Sequence, residues 1–381
     1  MTSALIARLR SDLATANFSV SALTGLWGID ADAALRRNQR VPALRALHVL
    51  REALGHTEPR ITLARLFVLG LPVDRADLDA ALPALGAAGA EELGLAASVA
   101  VREPGETGTV RPLLELRPYS FVDAHGAGSW WILSDLGELA LGHPLGESHV
   151  LGVGGASLTL SGLLIPTPVD SALDLGTGCG IQAMHASRHA GRVVATDISA
   201  RALELAALNA ELNGIGNIEF RLGSLFEPVA GERFDHIISN PPFVITPRVP
   251  GVPAYEYRDG GLVGDALVEA VVRGAADHLT QGGVAQLLGN WEYHAGRDAF
   301  ERLAAWLDAP ASGQDPAQTP DAAALDAWII EREVQAPALY AETWIRDGGT
   351  RADTADFDRL YGAWLDDFEA RGVSQVGFGY L

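Results

Sequence analysis

The stretch that decides the fold runs from Ala172 to Phe243 and opens with Ala172-Leu173-Asp174-Leu175-Gly176-Thr177-Gly178-Cys179-Gly180. This short apolar run breaks into alternating glycines, and residues 181–190 read as a helix, so the pattern predicts strand, tight turn and helix. Glycine permits positive φ and close approach of a ligand, and a helix start offers free N–H groups to a carboxylate. The spacing is not the G-x-G-x-x-G of dinucleotide folds, and a plain strand-to-helix turn remains an alternative.

Two further strands are predicted after this loop. Residues 192–197 end in Asp197, about twenty residues after the loop, where a ribose diol lies in doubly wound folds. A helix N-cap is the alternative role for Asp197, and Ser199 could also cap the helix expected over residues 200–213. Strand 218–222 then leads into Gly223-Ser224-Leu225. Successive β-α units of this kind predict one parallel sheet.

The next strand, residues 234–239, runs into Asn240-Pro241-Pro242-Phe243. Consecutive prolines cannot continue a strand ladder, and the residue before a proline is held in extended geometry. Asn240 is therefore presented stiffly at the carboxyl end of the sheet, the edge where open α/β sheets bind ligands. A proline-terminated strand would explain the prolines, but neither the Asn before them nor the aromatic residue after them.

Residues 172–243 resemble the class I S-adenosylmethionine methyltransferases, and Asn240 to Phe243 resembles the (N/D)PP(F/Y) signature of the branch that methylates planar nitrogen. The resemblance implies S-adenosylmethionine as cofactor and an α/β fold with a seven-stranded Rossmann-like sheet, whose last strand is antiparallel between the fifth and sixth. It implies cofactor contacts from Asp174, Gly176, Thr177, Gly178, Gly180, Asp197, Ile198, Ser224, Leu225 and Asn240. Ser224 departs from the acidic residue that many relatives carry for the adenine amino group, so its contact is left open.

The signature residues suit transfer of a methyl group to a planar nitrogen. Such a nitrogen is a poor nucleophile, because its lone pair is delocalised. The Asn240 side-chain oxygen and the Pro241 carbonyl can accept hydrogen bonds from its N–H groups and orient the lone pair. Phe243, beyond Pro242, offers a flat face for stacking. These four residues are the predicted catalytic set, and their chemistry is positioning rather than acid–base catalysis.

The 381 residues allow two domains, for which we expect boundaries at 1–150 and 151–381. Residues 1–150 predict an α+β substrate-recognition domain, with a winged-helix-like arrangement as one interpretation. Its expected helices and strands lie at 1–55, 61–70 and 77–86, and at 99–102, 113–121 and 130–133. The second domain is the methyltransferase domain, in which residues 158–166 are expected to form part of a cofactor lid.

A long proline-rich loop follows the signature over residues 244–261 and ends in Arg258-Asp259-Gly260-Gly261. This segment partly resembles the Asp-Gly-Gly segment of release-factor glutamine methyltransferases. Residues 309–324 predict a surface loop or a disordered insertion. The remaining elements are helices 267–279 and 354–370 and strands 284–288, 327–334 and 374–381.

The net charge of −20 bears on the substrate, because phosphate neutralisation usually requires a basic surface. A protein glutamine, on a release factor or a ribosomal protein, is therefore slightly favoured. A base of rRNA, tRNA or DNA is close behind, since its N-methyltransferases share the signature. A non-catalytic binding protein is the outside alternative. The basic residues 36–40 are either a solvated loop or a contact for RNA or the ribosome.

Other features exclude further classes. No apolar run reaches eighteen residues, and residues 1–10 lack an apolar signal core, so no membrane is expected and the protein is predicted to be cytoplasmic. The single Cys179 allows no intramolecular disulfide or cysteine cluster and is interpreted as packing. His143 and His149 lack the further ligands of a metal site, so no metal is expected. The oligomeric state is left open.

Overall fold

A computed structural model of the protein describes residues 2–99, 108–143, 145–253, 256–308 and 325–381. The insertion expected over residues 309–324 lies outside these ranges, as does all but Val99 of the strand expected at 99–102. The chain divides into two compact units, which are 1–143 with 207–216, and 144–206 with 217–381. The predicted domain boundary at residue 150 lies shortly after the division at 143/144.

The first unit is α+β. Its elements are α1 (Thr2–Thr15), α2 (Val20–Trp27), α3 (Ile29–Leu35), α4 (Val41–Leu54), α5 (Pro59–Leu63), a π-helical turn (Ala64–Val68), β1 (Val73–Asp74), α6 (Arg75–Ala81), α7 (Gly86–Glu92), β2 (Ala96–Ser98), β3 (Thr109–Pro112), β4 (Leu114–Asp123), β5 (Gly126–Asp135) and α8 (Glu138–Leu141). The helical structure predicted for residues 1–55 is confirmed and consists of the four helices α1 to α4. The single helix predicted for 77–86 is wrong, because Pro83 lies between α6 and α7, where a helix interior would not tolerate it.

Strand β3 pairs antiparallel with both β1 and β2, while β4 and β5 form a separate antiparallel hairpin. The winged-helix-like interpretation of this unit stays a prediction. Helices followed by small antiparallel sheets are what the sequence predicted for this unit.

The second unit contains the large sheet. Its elements are α9 (Gly155–Leu163), β6 (Val169–Leu175), α10 (Ile181–Ala186), β7 (Ala190–Asp197), α11 (Ala200–Leu212), β8 (Ile218–Leu222), a 3₁₀ turn (Glu227–Val229), β9 (Phe234–Ser239), α12 (Glu256–Asp259), α13 (Ala266–His278), β10 (Leu279–His294), α14 (Ala299–Asp308), β11 (Ile330–Gln335), α15 (Pro337–Asp347), α16 (Ala355–Arg371) and β12 (Val373–Tyr380). Helix α11 crosses the division, so its residues from 207 onward are grouped with the first unit.

The sheet has seven strands in the order β11-β12-β10-β9-β6-β7-β8. Strands β6 to β10 pair in parallel, and β12 is antiparallel to both β10 and β11. The predicted class I methyltransferase sheet, with its last strand antiparallel between the fifth and sixth, is therefore confirmed. Two lengths differ from the sequence prediction, because α10 ends at Ala186 and β10 extends to His294.

Successive strand residues point to opposite faces of this sheet, and each set belongs to a hydrophobic cluster on its own face. Leu173, Val194 and Ile237 pack with residues of α13 and α14. Their chain neighbours Ala172, Val193 and Ile238 pack on the other face with α9 and α10. Covering both faces is what a parallel sheet requires. None of the described helices has the length and apolar character needed to cross a membrane.

Candidate active site

The registers of the parallel strands bring the predicted site residues to one edge of the sheet. Leu175, the last residue of β6, pairs with Thr196 on one side and Ser239 on the other. Asp197 pairs with Leu222, the last residue of β8. The residues that end or follow these strands therefore lie at the same edge of the sheet. They are the glycine turn, Asp197, Ser224 and Asn240.

Glycines 176, 178 and 180 form the cofactor loop (residues 176–180) and have φ values of 77°, 55° and 87°. A Cβ placed on Gly176 or Gly178 would meet no described atom within 4 Å. A Cβ on Gly180 would lie 2.9 Å from the Cβ of Ala206 on α11. Gly180 is thus required for close packing of the helix, while Gly176 and Gly178 leave the backbone open to a ligand.

Asp174 lies behind the cofactor loop and is 1% exposed. Its Oδ2 atom accepts hydrogen bonds from Thr177 Oγ1 (2.6 Å) and from Ala183 N (2.9 Å). Burial, with a smaller contribution from nearby Asp197, raises the pKa of the carboxyl group to about 7. Asp174 therefore ties the loop to α10. Its Oδ1 atom is buried without a hydrogen-bond partner among the described residues, and its contact with the cofactor stays a prediction.

Asp197 joins the end of β7 to the cofactor loop. Its Oδ2 atom accepts from Gly178 N (2.9 Å) and its Oδ1 atom from Ser199 N (2.8 Å). Burial raises the pKa of this carboxyl group. The Ser199 hydroxyl itself accepts from Ala202 N (3.4 Å), so both residues support the start of α11. Each Asp197 oxygen keeps acceptor capacity for a ribose hydroxyl.

Three other predicted cofactor residues surround this edge. Ile198 is 65% exposed. Ser224 is half-buried, and its carbonyl accepts from Glu227 N (3.0 Å). Leu225 has a φ of 46°, which is uncommon outside glycine, and it packs against the cluster that includes Phe226. Such an outlier at a ligand edge is typical of a functional turn. An adenine contact by Ser224 stays a prediction.

Asn240 follows β9 and is half-buried. Its Nδ2 atom lies 3.4 Å from Ser157 Oγ on α9, and its Oδ1 atom is buried without a hydrogen-bond partner among the described residues. A buried amide oxygen normally finds a donor. The side chain is thus held through its nitrogen, with the oxygen left to accept a hydrogen bond. Helix α9 occupies the segment predicted as a cofactor lid, and that role stays a prediction.

Pro241 is buried, and Pro242 and Phe243 are half-buried. Phe243 packs against three hydrophobic clusters of this unit. Its ring therefore anchors the chain after Asn240, and stacking on a planar substrate stays a prediction.

Sequence reasoning missed a clamp in the acceptor loop, which we define as residues 240–253 and 256–262. Arg248 Nη2 donates to Asp259 Oδ1 (2.6 Å) and to the Asp259 carbonyl (2.8 Å). A Cβ on Gly260, whose φ is 56°, would lie 3.0 Å from Pro242 Cγ. The Asp-Gly-Gly turn thus packs directly against the signature. The signal was the Asp-Gly-Gly resemblance, but no pattern pointed to Arg248 as its partner.

Two remote features have structural roles. Arg40 donates to the carbonyls of Leu69 and Leu139, each at 3.2 Å, and Arg36 pairs with Asp32 at 3.2 Å. Residues 36–39 are exposed, which agrees with a solvated loop, and a contact with RNA or the ribosome stays a prediction.

Burial raises the pKa of the Cys179 thiol to about 11, which fits a packing residue. The described ranges contain no group of three His, Cys, Asp or Glu side chains placed to hold a metal ion.

The sheet order, the glycine turn and the Asn-Pro-Pro-Phe edge together define a class I methyltransferase domain. Residues 154–302 match the family described as Methyltransferase small domain. This match and the relatives described in the next paragraph confirm the resemblance to class I S-adenosylmethionine N-methyltransferases that was recognised in the sequence. Residues 15–104 match the family described as Domain of unknown function (DUF7059).

Several curated relatives match part of the chain. A ribosomal protein uL3 glutamine methyltransferase from Bradyrhizobium diazoefficiens is 37% identical over 147 residues, covering 36% of this chain and 45% of the relative. A release factor glutamine methyltransferase from Xylella fastidiosa is 39% identical over 132 residues, covering 32% and 47%. A ribosomal RNA small subunit methyltransferase C from Salmonella newport is 30% identical over 164 residues, covering 42% and 43%. The chain thus spans about half the length of the curated relatives it matches.

Proposed function

We propose that this protein is an S-adenosylmethionine-dependent N-methyltransferase acting on a planar amide nitrogen, with a protein glutamine as the favoured acceptor. The observation that carries the proposal is the Asn240 side chain. Its Oδ1 atom is buried and lacks a partner among the described residues, at the sheet edge where the cofactor loop ends. An amide N–H of the acceptor would supply the missing donor.

The residues present fit the cofactor. Gly176 and Gly178 leave open space above the loop, and Asp197 retains acceptor capacity for a ribose diol. When bound, S-adenosylmethionine supplies an electrophilic methyl group on a sulfonium. Asn240 and the Pro241 carbonyl hold the two N–H bonds of the acceptor amide. The nitrogen lone pair then points toward the methyl group, and this positioning lowers the barrier more than it tightens binding.

Charge favours a protein over a nucleic acid. The protein carries a net charge of −20. Arg248, the first basic residue after the signature, is bound by Asp259 rather than presented to a phosphate. The relatives named as glutamine methyltransferases for uL3 and for release factors also favour a protein acceptor. A ribosomal protein or a release factor would also place the activity in the cytoplasm, with residues 1–150 as the domain that recognises the substrate.

The test is to incubate the protein with radiolabelled methyl donor and separate ribosomal-protein, release-factor, RNA and DNA fractions. We expect label in a protein fraction, resistant to nuclease and released as methylamine on acid hydrolysis, as an N-methylated amide requires. Label that nuclease removes from the RNA or DNA fraction would favour a nucleobase as the acceptor. The similarity to an rRNA methyltransferase is the observation that supports this alternative. An absence of label in all fractions would favour the non-catalytic alternative.

A further inference from the structure

The chain leaves the Asn-Pro-Pro-Phe signature by entering a hydrophobic cluster built by the C-terminal helices. Val244 and Ile245 are 4% and 1% exposed. They pack with residues from α15, α16 and β12, including Tyr340, Trp364 and Phe368. These elements lie beyond residue 302, where the match to the methyltransferase family ends. The acceptor loop is therefore anchored by a part of the chain that the family match does not include.

Tyr340 makes the polar contact in this cluster. Its side chain is fully buried, and its ring packs among Trp344, Trp364, Phe368 and Phe378. The Tyr340 hydroxyl oxygen accepts hydrogen bonds from Ile245 N and from Asn290 Nδ2, each at 2.9 Å. Burial raises the pKa of the phenol, so it stays neutral at physiological pH. Helix α15 thus fixes the backbone five residues after Asn240.

A second link joins α15 to the other end of the acceptor loop. Arg258 is 8% exposed and donates through Nη1 to the carbonyl of Trp344 (3.1 Å). The Arg258 carbonyl accepts from Val244 N (2.9 Å). Gly260, two residues later, approaches Pro242 closely. Both ends of the acceptor loop are therefore held by one helix.

We propose that Tyr340 is a positioning residue for methyl transfer, whose hydroxyl sets the position of Asn240 through Ile245, with Arg258 as the second link from α15. The inference rests on the proposed function for its kinetic consequence. Among the described residues, the Tyr340 hydroxyl hydrogen-bonds to Ile245 and Asn290, and neither belongs to the signature or to the cofactor loop. Its effect therefore passes through the backbone of the acceptor loop, and loss of the hydroxyl lets Asn240 leave its productive geometry.

The decisive variant is Tyr340→Phe, which keeps the ring and removes only the hydroxyl. Hydrogen–deuterium exchange should accelerate in peptides covering residues 240–247, while peptides covering residues 172–182 exchange as in the wild type. Tyr361→Phe is the matched control. Tyr361 packs against the same cluster, and its hydroxyl has no hydrogen-bond partner among the described residues. Unchanged exchange at residues 240–247 in Tyr340→Phe overturns the proposal, whatever the enzyme's substrate.

The kinetic arm measures labelled methyl transfer to the ribosomal-protein fraction. Tyr340→Phe should lower the rate about ten- to a hundredfold, the scale for a misplaced reacting group, with the cofactor Kd unchanged. In the Asn240→Ala background the same substitution should have no further effect, because both changes act on one interaction. An equal loss in both backgrounds would show a merely structural role and overturn the proposal.

Arg258→Met provides an independent variant if Tyr340→Phe melts below the assay temperature. It breaks the link to Trp344 and should accelerate exchange over residues 240–247. Wild-type exchange there would contradict the role of α15. A wild-type protein that labels no fraction would contradict the proposed function instead. The exchange measurements would still decide whether α15 holds the acceptor loop.

Discussion

The two loops at the edge of the sheet are held in opposite ways. The cofactor loop is fixed by residues close in the chain, because Asp174 binds Thr177 and Ala183 and Asp197 binds Gly178, at separations of 3, 9 and 19 residues. The acceptor loop is fixed from far away, through Tyr340 to Ile245 and Arg258 to Trp344, at separations of 95 and 86 residues. On the proposed function, we therefore expect cofactor binding to be a local property and acceptor positioning to depend on the C-terminal elements.

Removing residues 372–381 is the most severe way to break the long-range side of this comparison. Strand β12 pairs with β10 and β11, and Val376 is fully buried. Its loss exposes two strand edges and the apolar side chains beneath them, so we expect insoluble or molten protein. Solubility, near-ultraviolet circular dichroism and calorimetric melting check this result. A truncated protein that melts cooperatively near the full-length Tm and binds cofactor would show β12 to be an appendage.

Asp197→Ala tests the cofactor loop, which is fixed by residues close to it in the chain. The substitution should weaken cofactor binding by about 1.5–3 kcal/mol, the range for hydrogen bonds to a charged group, as measured by calorimetric titration. Ser199→Ala is the matched control, since it removes the bond to Ala202 N and should lower the Tm with no change in Kd. An Asp197→Ala protein with a lower Tm and normal cofactor affinity would make Asp197 a helix-start residue only.

Asp174 should have a pH-dependent effect on the stability of the fold rather than a direct effect on the rate of methyl transfer. Its pKa rises from an ordinary 3.8 to about 7 in the folded protein. The folded state therefore binds this proton more tightly, and its stabilising effect is complete below about pH 4 and lost as the pH rises through about 7. Asp174→Asn lacks the titration, so its free energy of unfolding relative to the wild type should rise by about 3 kcal/mol from pH 4.5 to 7.5. Urea titrations at both pH values measure this, and a pH-independent difference would contradict the raised pKa.

The sequence predicted the locally determined parts well. Strands β8 and β9 match their predicted bounds, and α11 ends one residue early, because hydrophobic runs and their breakers are local signals. The glycines of the cofactor loop and Asn240 occupy one edge because parallel strands carry their following residues there. The sequence alone could not decide whether Asp197 contacts the ribose or caps a helix. The structure shows that one carboxylate oxygen contacts the cofactor loop and the other contacts the start of α11.

The long-range parts could not be predicted in the same way. Residues 337–347 carried no motif, although α15 supplies Tyr340 to the acceptor loop. A tyrosine in an amphipathic helix reads as core, and its hydroxyl partner is fixed only by tertiary packing. Arg248 and Asp259 likewise meet only because the turn at Gly260 folds onto Pro242. Helix α10 was predicted too long because Ala190 begins a buried strand, which tertiary pairing with Val169 decides.

The central claim is that Asn240 serves the acceptor and the cofactor loop serves the cofactor. The most direct measurement is the cofactor Kd of Asn240→Ala by calorimetry, taken beside its rate of methyl transfer, with Asn240→Asp as the variant that keeps a side-chain acceptor. We predict a Kd like that of the wild type and a rate at least about a hundredfold lower, the scale for losing a transition-state hydrogen bond. Asn240→Asp should retain more activity than Asn240→Ala. A collapsed cofactor affinity with surviving turnover would make Asn240 a cofactor residue and contradict the account.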